Sequence, residues 1–256
     1  MTDTEGADRP SLRQVIDYYN NPEYVRASLE HARKGGRIEA KLAVLQRFVS
    51  KGPVLELGGG AGLYAELLPG YLSVDISTEA IRHAGAARRN MICGDIQALP
   101  LRSESIAAVF SFNVLEHIHR PDLVMNEIDR VLMKGGTVLL KDAWRRASLT
   151  ERNTSNRRLL KTRIALESRL SAVRHAFRRG GEVEYRELIP DYTTIGHDHD
   201  AVSSIDEFSV FGFFASRGYA CLNLRSNPLL RVLSPYSELR RWVIVRKPGA
   251  APGARA

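Results

Sequence analysis

The chain has 256 residues, of which 44% are apolar, enough for one larger domain or a domain with a sizeable insertion around a real core. No apolar run approaches the roughly 18 to 20 residues that span a bilayer, and the first thirty residues, with Asp3, Glu5, Asp8 and Arg9, hold no signal-peptide core, so a cytoplasmic address and no membrane partner are expected. Cys93 and Cys221 are too few for a disulfide framework or a zinc site, and the net charge of +8 is concentrated between Arg145 and Ile189, where twelve basic residues face five acidic ones.

Residues 1–10 are polar and read as loose. Leu12 to Arg33 has a helical pattern interrupted at Asn20-Asn21-Pro22, so residues 1–35 form an N-terminal helical cap in which Tyr18, Tyr19 and Tyr24 are expected to pack rather than to cover a ligand. Ile38, Leu42, Leu45 and Val49 recur at helical spacing and deliver the chain to a short apolar run beginning at Val54. That run reads as a buried strand, Gly58-Gly59-Gly60-Ala61-Gly62 as a tight turn, and Leu63 to Leu68 as the first turns of a helix. Glycines suit such a turn because the backbone bends sharply and a ligand approaches with no Cβ in its way. Glu56 at the strand end and the lack of a GxxxxGK[ST] lysine argue against a phosphate and for a ligand bearing an ammonium group.

The next strand, Tyr71 to Val74, ends on Asp75, where a carboxylate accepts hydrogen bonds from both hydroxyls of a ribose. Ser77 caps a helix running to about Arg89, and a third strand from Asn90 to Cys93 is followed by Asp95, a carboxylate suited to an exocyclic amine. A fourth strand, Ile106 to Phe112, apolar but for Ser111, opens on Asn113-Val114-Leu115-Glu116-His117-Ile118. A helix from Pro121 to Leu132 and a turn at Lys134-Gly135-Gly136 lead to a fifth strand, Thr137 to Lys141. Strands and helices alternating at this rhythm predict a doubly wound, mostly parallel α/β sheet with ligands at the carboxyl ends of its strands.

Residues 36 to 143 resemble the class I S-adenosylmethionine-dependent methyltransferases, in particular the small-molecule enzymes with a Leu-Glu-His-Ile type of motif after the fourth strand. The resemblance implies a Rossmann-like seven-stranded sheet whose last hairpin is antiparallel, with Ala220 to Leu224 and Trp242 to Arg246 as its final strands. It further implies that Glu56, Gly58, Gly60 and Gly62 line the methionine end of S-adenosylmethionine, that Asp75 holds the ribose and Ile76 packs on the adenine, that Asp95 and Ile96 read the adenine edge, and that Asn113 closes over the sulfonium. S-adenosylhomocysteine is then the product. The methyltransferase domain comprises 36–143 and 204–247, residues 144–203 form an α-helical lid that binds the acceptor, and 248–256 a disordered tail.

The acceptor is expected to be a small polar molecule methylated on oxygen or nitrogen. No Asn/Asp-Pro-Pro-aromatic motif follows the fourth strand and neither cysteine follows a proline, which disfavours two routes of nucleic-acid methylation. An RNA substrate held by the basic insertion and a non-catalytic adenosylmethionine-binding protein are the alternatives. His117, with an ordinary pKa near 6.5, and the loop residues His197, Asp198 and His199 are the candidate catalytic groups. No metal is expected, because Val202 stands where the last histidine of a metallo-hydrolase motif belongs. From Ser204 to Ser216 a Phe-rich helix with a Ser204/Glu207 capping box packs before the final strands. Oligomeric state is not legible.

Overall fold

The computed structural model describes residues 10–33, 37–49, 51–141, 181–193, 195, 200–222 and 242–249. Helix α1 (Leu12–Tyr19) opens with a capping box in which Ser11 Oγ accepts from the Gln14 amide and the Gln14 side chain accepts from the Ser11 amide. Pro22 restarts the chain as α2 (Pro22–Arg33), and α3 (Arg37–Phe48) leads to β1 (Val54–Leu57). Then follow β2 (Tyr71–Asp75), α4 (Thr78–Arg82), β3 (Met91–Cys93), β4 (Ile106–Phe112), α5 (Pro121–Val131) and β5 (Leu132–Lys141). The remaining elements are β6 (Tyr185–Glu187), β7 (Ser203–Ile205), α6 (Glu207–Ser216), β8 (Ala220–Cys221) and β9 (Val243–Arg246).

Among the described residues seven strands form one sheet in the order β3-β2-β1-β4-β5-β9-β8, all running the same way except β9, which pairs antiparallel with both β5 and β8. This is the expected Rossmann-like, doubly wound architecture with an antiparallel final hairpin. Alternation along the strands divides the core in two. Leu55, Leu57 and Val109 face α5 and α6 through Val124, Met125, Ile128, Phe213 and Phe214, while Val54, Ala108 and Phe110 face α3 through Leu45. Because β1 lies between β2 and β4, the chain winds outward from it in both directions, and a crevice opens at the carboxyl ends of β1 and β4.

Four local expectations change. Leu63 to Leu68 is a succession of turns, with Ala65 and Leu67 amides bonded three residues back, rather than a regular helix, since Gly62 at φ 68° and Pro69 bracket too short a segment. The helix after Ser77 ends at Arg82, and Gly85 at φ 55° introduces a 3-10 turn over Gly85–Asn90. The Lys134-Gly135-Gly136 turn lies inside β5, where the register on β4 shifts between Ile106 and Ala108. Ser204 pairs in β7 with Arg186 of β6, so α6 is capped instead by Asp206, whose carboxylate accepts from the Phe208 amide at 3.0 Å. Of the α-helical lid expected over residues 144–203, residues 144–180, 194 and 196–199 lie outside the described residues, and the described remainder holds β6 and the start of β7 and no helix. The last residues of the expected Ala220 to Leu224 strand and most of the tail also lie outside the described residues. Among the described residues no helix is long and apolar enough to cross a membrane.

Candidate active site

The turn after β1 is shaped by three glycines in the left-handed region, Gly58, Gly60 and Gly62. Gly59 is required for another reason. A Cβ there would sit 2.2 Å from Ser73 Oγ and 2.8 Å from the Tyr71 hydroxyl, so the turn lies flat on β2 only without a side chain. Below it the buried Glu56 carboxylate accepts from the Tyr71 hydroxyl at 2.5 Å. Burial pushes this carboxyl up to about 8, against the opposing pull of the Tyr71 hydroxyl and Lys41. A cation arriving beside Glu56 would restore its charge.

Asp75, at the end of β2, accepts from the Gly60 amide at 2.7 Å and the Ser77 amide at 2.8 Å, one bond to each oxygen. Those bonds fix the carboxylate between the glycine turn and the start of α4, and leave acceptor capacity on each oxygen for hydroxyl donors. Burial raises its pKa and the two amides pull it back. Asp95 is held differently. Both its oxygens accept from Gln97 Nε2 at 3.1 Å, and Oδ1 also accepts from the Gln97 amide at 2.8 Å, so a ligand amine would share the carboxylate with Gln97. Glu127 and Arg130 of α5 pin this loop through the Leu99 amide and the Leu99 and Leu101 carbonyls. Ile76 is half-buried, whereas Ile96 is buried and counts among the core residues.

At the end of β4, Asn113 takes a left-handed φ of 55°, and its amide donates to the Lys141 carbonyl of β5. The chain then turns through Leu115–His117. His117 Nδ1 lies 3.3 Å from both the carboxylate Oδ2 and the backbone carbonyl of Asp200, a residue 1% exposed. The same Oδ2 accepts from the hydroxyls of Tyr19 at 3.1 Å and Tyr24 at 3.3 Å. Burial and the adjoining Asp200 charge hold both phenols protonated, well above their ordinary range. Tyr18 and Tyr192 complete the ring cluster, with centroids 4.8 Å apart, and burial pushes Tyr192 up to about 12. Glu116 Oε2 is buried without a hydrogen-bond partner among the described residues.

One cavity of about 870 Å³ joins these features. Its lining includes Glu56, Gly58, Gly60, Asp75, Ile76, Asp95, Ile96, Asn113 and His117 from the expected set, and Tyr19, Tyr24, Glu116 and Asp200 besides. Of the expected residues within the described part of the chain, Gly62 alone does not line it. His197, Asp198 and His199 lie outside the described residues. The parts that the sequence does not single out are Asp200, next to the expected His197-Asp198-His199 group, and the hydroxyls of Tyr19 and Tyr24. A tyrosine pair beside a helix restart and an acid two residues before the apolar Val202 were the only signals. Among the described residues no group of three or more His, Cys, Asp or Glu side chains is arranged to hold a metal.

Residues 55–140 match the family model described as a methyltransferase domain. A malonyl-acyl-carrier-protein O-methyltransferase of Herminiimonas arsenicoxydans is 33% identical over 109 residues, 40% of this chain and 42% of that protein. An uncharacterized methyltransferase of Mycobacterium bovis is 35% identical over 95 residues, covering 34% and 37%. The chain thus spans less than half the length of these curated relatives. Among solved structures, an adenosylmethionine-dependent methyltransferase from Thermotoga maritima aligns over 92% of this chain and 98% of its own, with a TM-score of 0.53 and 17% identity. The cyclase SpnF aligns over 94% and 97%, with a TM-score of 0.55 and 13% identity. At these identities the structures are alike in fold.

Proposed function

With residues 55–140 forming a class I S-adenosylmethionine-dependent methyltransferase domain, we propose that the protein transfers a methyl group to an oxygen or nitrogen of a small polar acceptor, in the biosynthesis of a sugar-containing or secondary metabolite, in the cytoplasm. The observation that carries this reading is the convergence of Glu56, Asp75 and Asp95, three acids from three successive strand ends, on one cavity floored by a glycine turn.

The residues fit S-adenosylmethionine chemically. Glu56 is a buried carboxyl in the cavity wall whose charged form a nearby ammonium favours, which suits the amino group of the methionine end. Asp75 is an oriented carboxylate with spare acceptor capacity, which suits a ribose diol. The apolar Ile76 and Ile96 flank Asp95 as an adenine site would require, and Asn113 borders the methyl position. When bound, the cofactor supplies an electrophilic methyl group on a sulfonium. The chain's own work is alignment of the acceptor, exclusion of water and removal of a proton from a hydroxyl or protonated amine.

The acceptor end is assigned to the wall formed by His117, Glu116, Tyr19, Tyr24 and Asp200, roofed by the N-terminal helical cap. In this reading His117 takes the acceptor's proton as its lone pair attacks, Glu116 Oε2 receives a donor from the acceptor, and Phe112 and Trp242 keep that part of the cavity dry. Isothermal calorimetry with the intact protein tests the reading. Micromolar binding of S-adenosylmethionine is expected, and no detectable binding overturns it. Single replacement of His117, His197 and His199 tests the base: unchanged turnover in all three excludes a histidine.

A further inference from the structure

The cavity has a further wall, on the α3 side of the sheet, that removal of a proton leaves unused. Phe112 and Lys141 close β4 and β5 and are partners in that parallel register, so their side chains leave the same face. Trp242 directly precedes β9, whose antiparallel register on β5 reaches Leu140 opposite Val243, and it therefore comes beside Lys141. Lys141 Nζ stands 5.4 Å from the Trp242 ring centroid, Lys41 Nζ of α3 stands 4.3 Å from that of Phe112, and the two rings meet edge to face at 5.3 Å. All four residues line the cavity; Trp242 is buried and both lysines are half-buried. The wall thus offers two ammonium groups on adjoining aromatic rings.

We propose that the methyl acceptor is an organic anion, and that Lys141 holds its carboxylate or phosphate at this wall with its apolar part against Trp242 and Phe112. That the anion is the acceptor rests on the methyl-transfer reading; that the wall binds an anion rests on the wall itself. Taking an ammonium partly out of water is costly, a ring face returns part of that cost, and an opposite charge returns the rest. A ring face occupies none of the three N–H donors of an ammonium, and one or two further partners still leave one, so the subsite does not require either lysine to be otherwise unengaged. Lys41 borders the proposed methionine end, because its charge works against the burial that raises the Glu56 pKa. Lys141 borders the proposed acceptor end: its carbonyl accepts from the Asn113 amide at 3.1 Å, where the chain enters the turn bearing His117. On the opposite wall Asp200 is committed to Tyr19, Tyr24 and His117, leaving Glu116, among the described residues, as the group that would draw a cationic acceptor instead.

Saturation-transfer NMR on the full-length protein, in the presence of S-adenosylhomocysteine, ranks the probes benzoate, phenyl phosphate, benzamide and benzylamine. At least one of the two anions is expected to bind about tenfold or more tightly than neutral benzamide, the gain from one hydrogen bond to a charged group, and the order of the two distinguishes carboxylate from phosphate. Lys141→Met, which keeps an unbranched chain beside Trp242 and removes the charge, should bring that anion to the level of benzamide, with S-adenosylhomocysteine affinity within about twofold of wild type. Anions bound no better than benzamide, a preference for benzylamine, no binding of any probe, or an anion preference that survives Lys141→Met each overturns the proposal. Should Lys141→Met not fold, the wild-type ranking decides. Calorimetry with S-adenosylmethionine on the same samples separates the two readings, because missing cofactor binding in the wild type removes the methyl-transfer reading, whereas the ranking of the probes and its dependence on Lys141 decide the anion subsite.

Discussion

The cavity has two ends that were assembled in different ways. The proposed cofactor end is made of residues between Glu56 and Asp95, each at or just past the exit of a strand of one parallel sheet, so a single architectural rule places all of them. The proposed acceptor end joins α1, α2, the turn after β4 and the residue Asp200, which stands 83 residues beyond His117 and 181 beyond Tyr19. The first end is rigid because the sheet is rigid; the second is only as ordered as the docking of three segments that share no element. A fold can therefore keep the cofactor end while the acceptor end is rebuilt, which accords with similarity to curated relatives that extends over the central domain and less than half their length.

The comparison is broken most severely at Asp75. Asp75→Ala removes a ribose acceptor and releases the Gly60 and Ser77 amides together, so calorimetric affinity for S-adenosylmethionine should fall about a hundredfold or more, from about 3 kcal/mol of lost charged hydrogen bonds. Glu56 comes next and carries a pH signature. Its folded pKa of about 8 lies above the ordinary carboxyl value of 4.5, so the folded state keeps a proton that the unfolded chain gives up, and stability of the ligand-free protein declines as pH rises from 4.5 through 8. A cofactor ammonium reverses that preference: binding releases a proton and tightens as pH rises towards 8. In Glu56→Gln both slopes should vanish, with weaker binding and a more stable ligand-free protein at pH 8, as denaturant melts across pH and calorimetry in buffers of different ionisation enthalpy would show.

Gly59→Ala sharpens the same end by a smaller step. Ser73 Oγ can rotate away but the buried Tyr71 ring has little room, so a loss of about 1 to 3 kcal/mol and a lowered melting temperature are expected. At the acceptor end, Tyr19→Phe removes one hydroxyl from Asp200 and should cost about 1 kcal/mol of stability, with cofactor affinity unchanged. The smallest effect belongs to His117→Gln, for which cofactor affinity within twofold of wild type is expected. A tenfold loss there would merge the two ends into one.

The same division explains what the sequence made legible. Glu56, Asp75 and Asp95 were readable because strand rhythm alone puts successive strand ends side by side, and the apolar run from Ile106 to Phe112 announced a doubly covered strand that falls on those residues. Asp200 was not readable, since no local periodicity reports which of several ionisable residues in a loop folds inward. Tyr18, Tyr19 and Tyr24 show the limit within one motif. Packing was the expectation for all three; it describes the buried Tyr18, whereas Tyr19 and Tyr24 line the cavity and commit their hydroxyls to a residue far along the chain. The capping box expected at Ser204 lost to strand pairing with Arg186, a long-range bond that a four-residue pattern cannot see.

Asn20, between the first two helices, adds one more consequence. Its side-chain oxygen accepts from the Glu79 amide at 2.9 Å and from Thr78 Oγ1 at 3.0 Å, while the neighbouring Ala80 amide is capped within its own helix by Ser77 at 3.0 Å. Two adjacent amides of α4 thus answer to different masters, one to the N-terminal segment and one to local structure. Their ratio of deuterium uptake works as an internal clock: when the N-terminal helices swing away, Glu79 exchanges ahead of Ala80, and fraying of α4 moves both together. Because Ser77 also ties α4 to Asp75, filling the nucleoside side should slow the Glu79 hand of that clock, giving a readout of entry to the cavity that requires no knowledge of the acceptor.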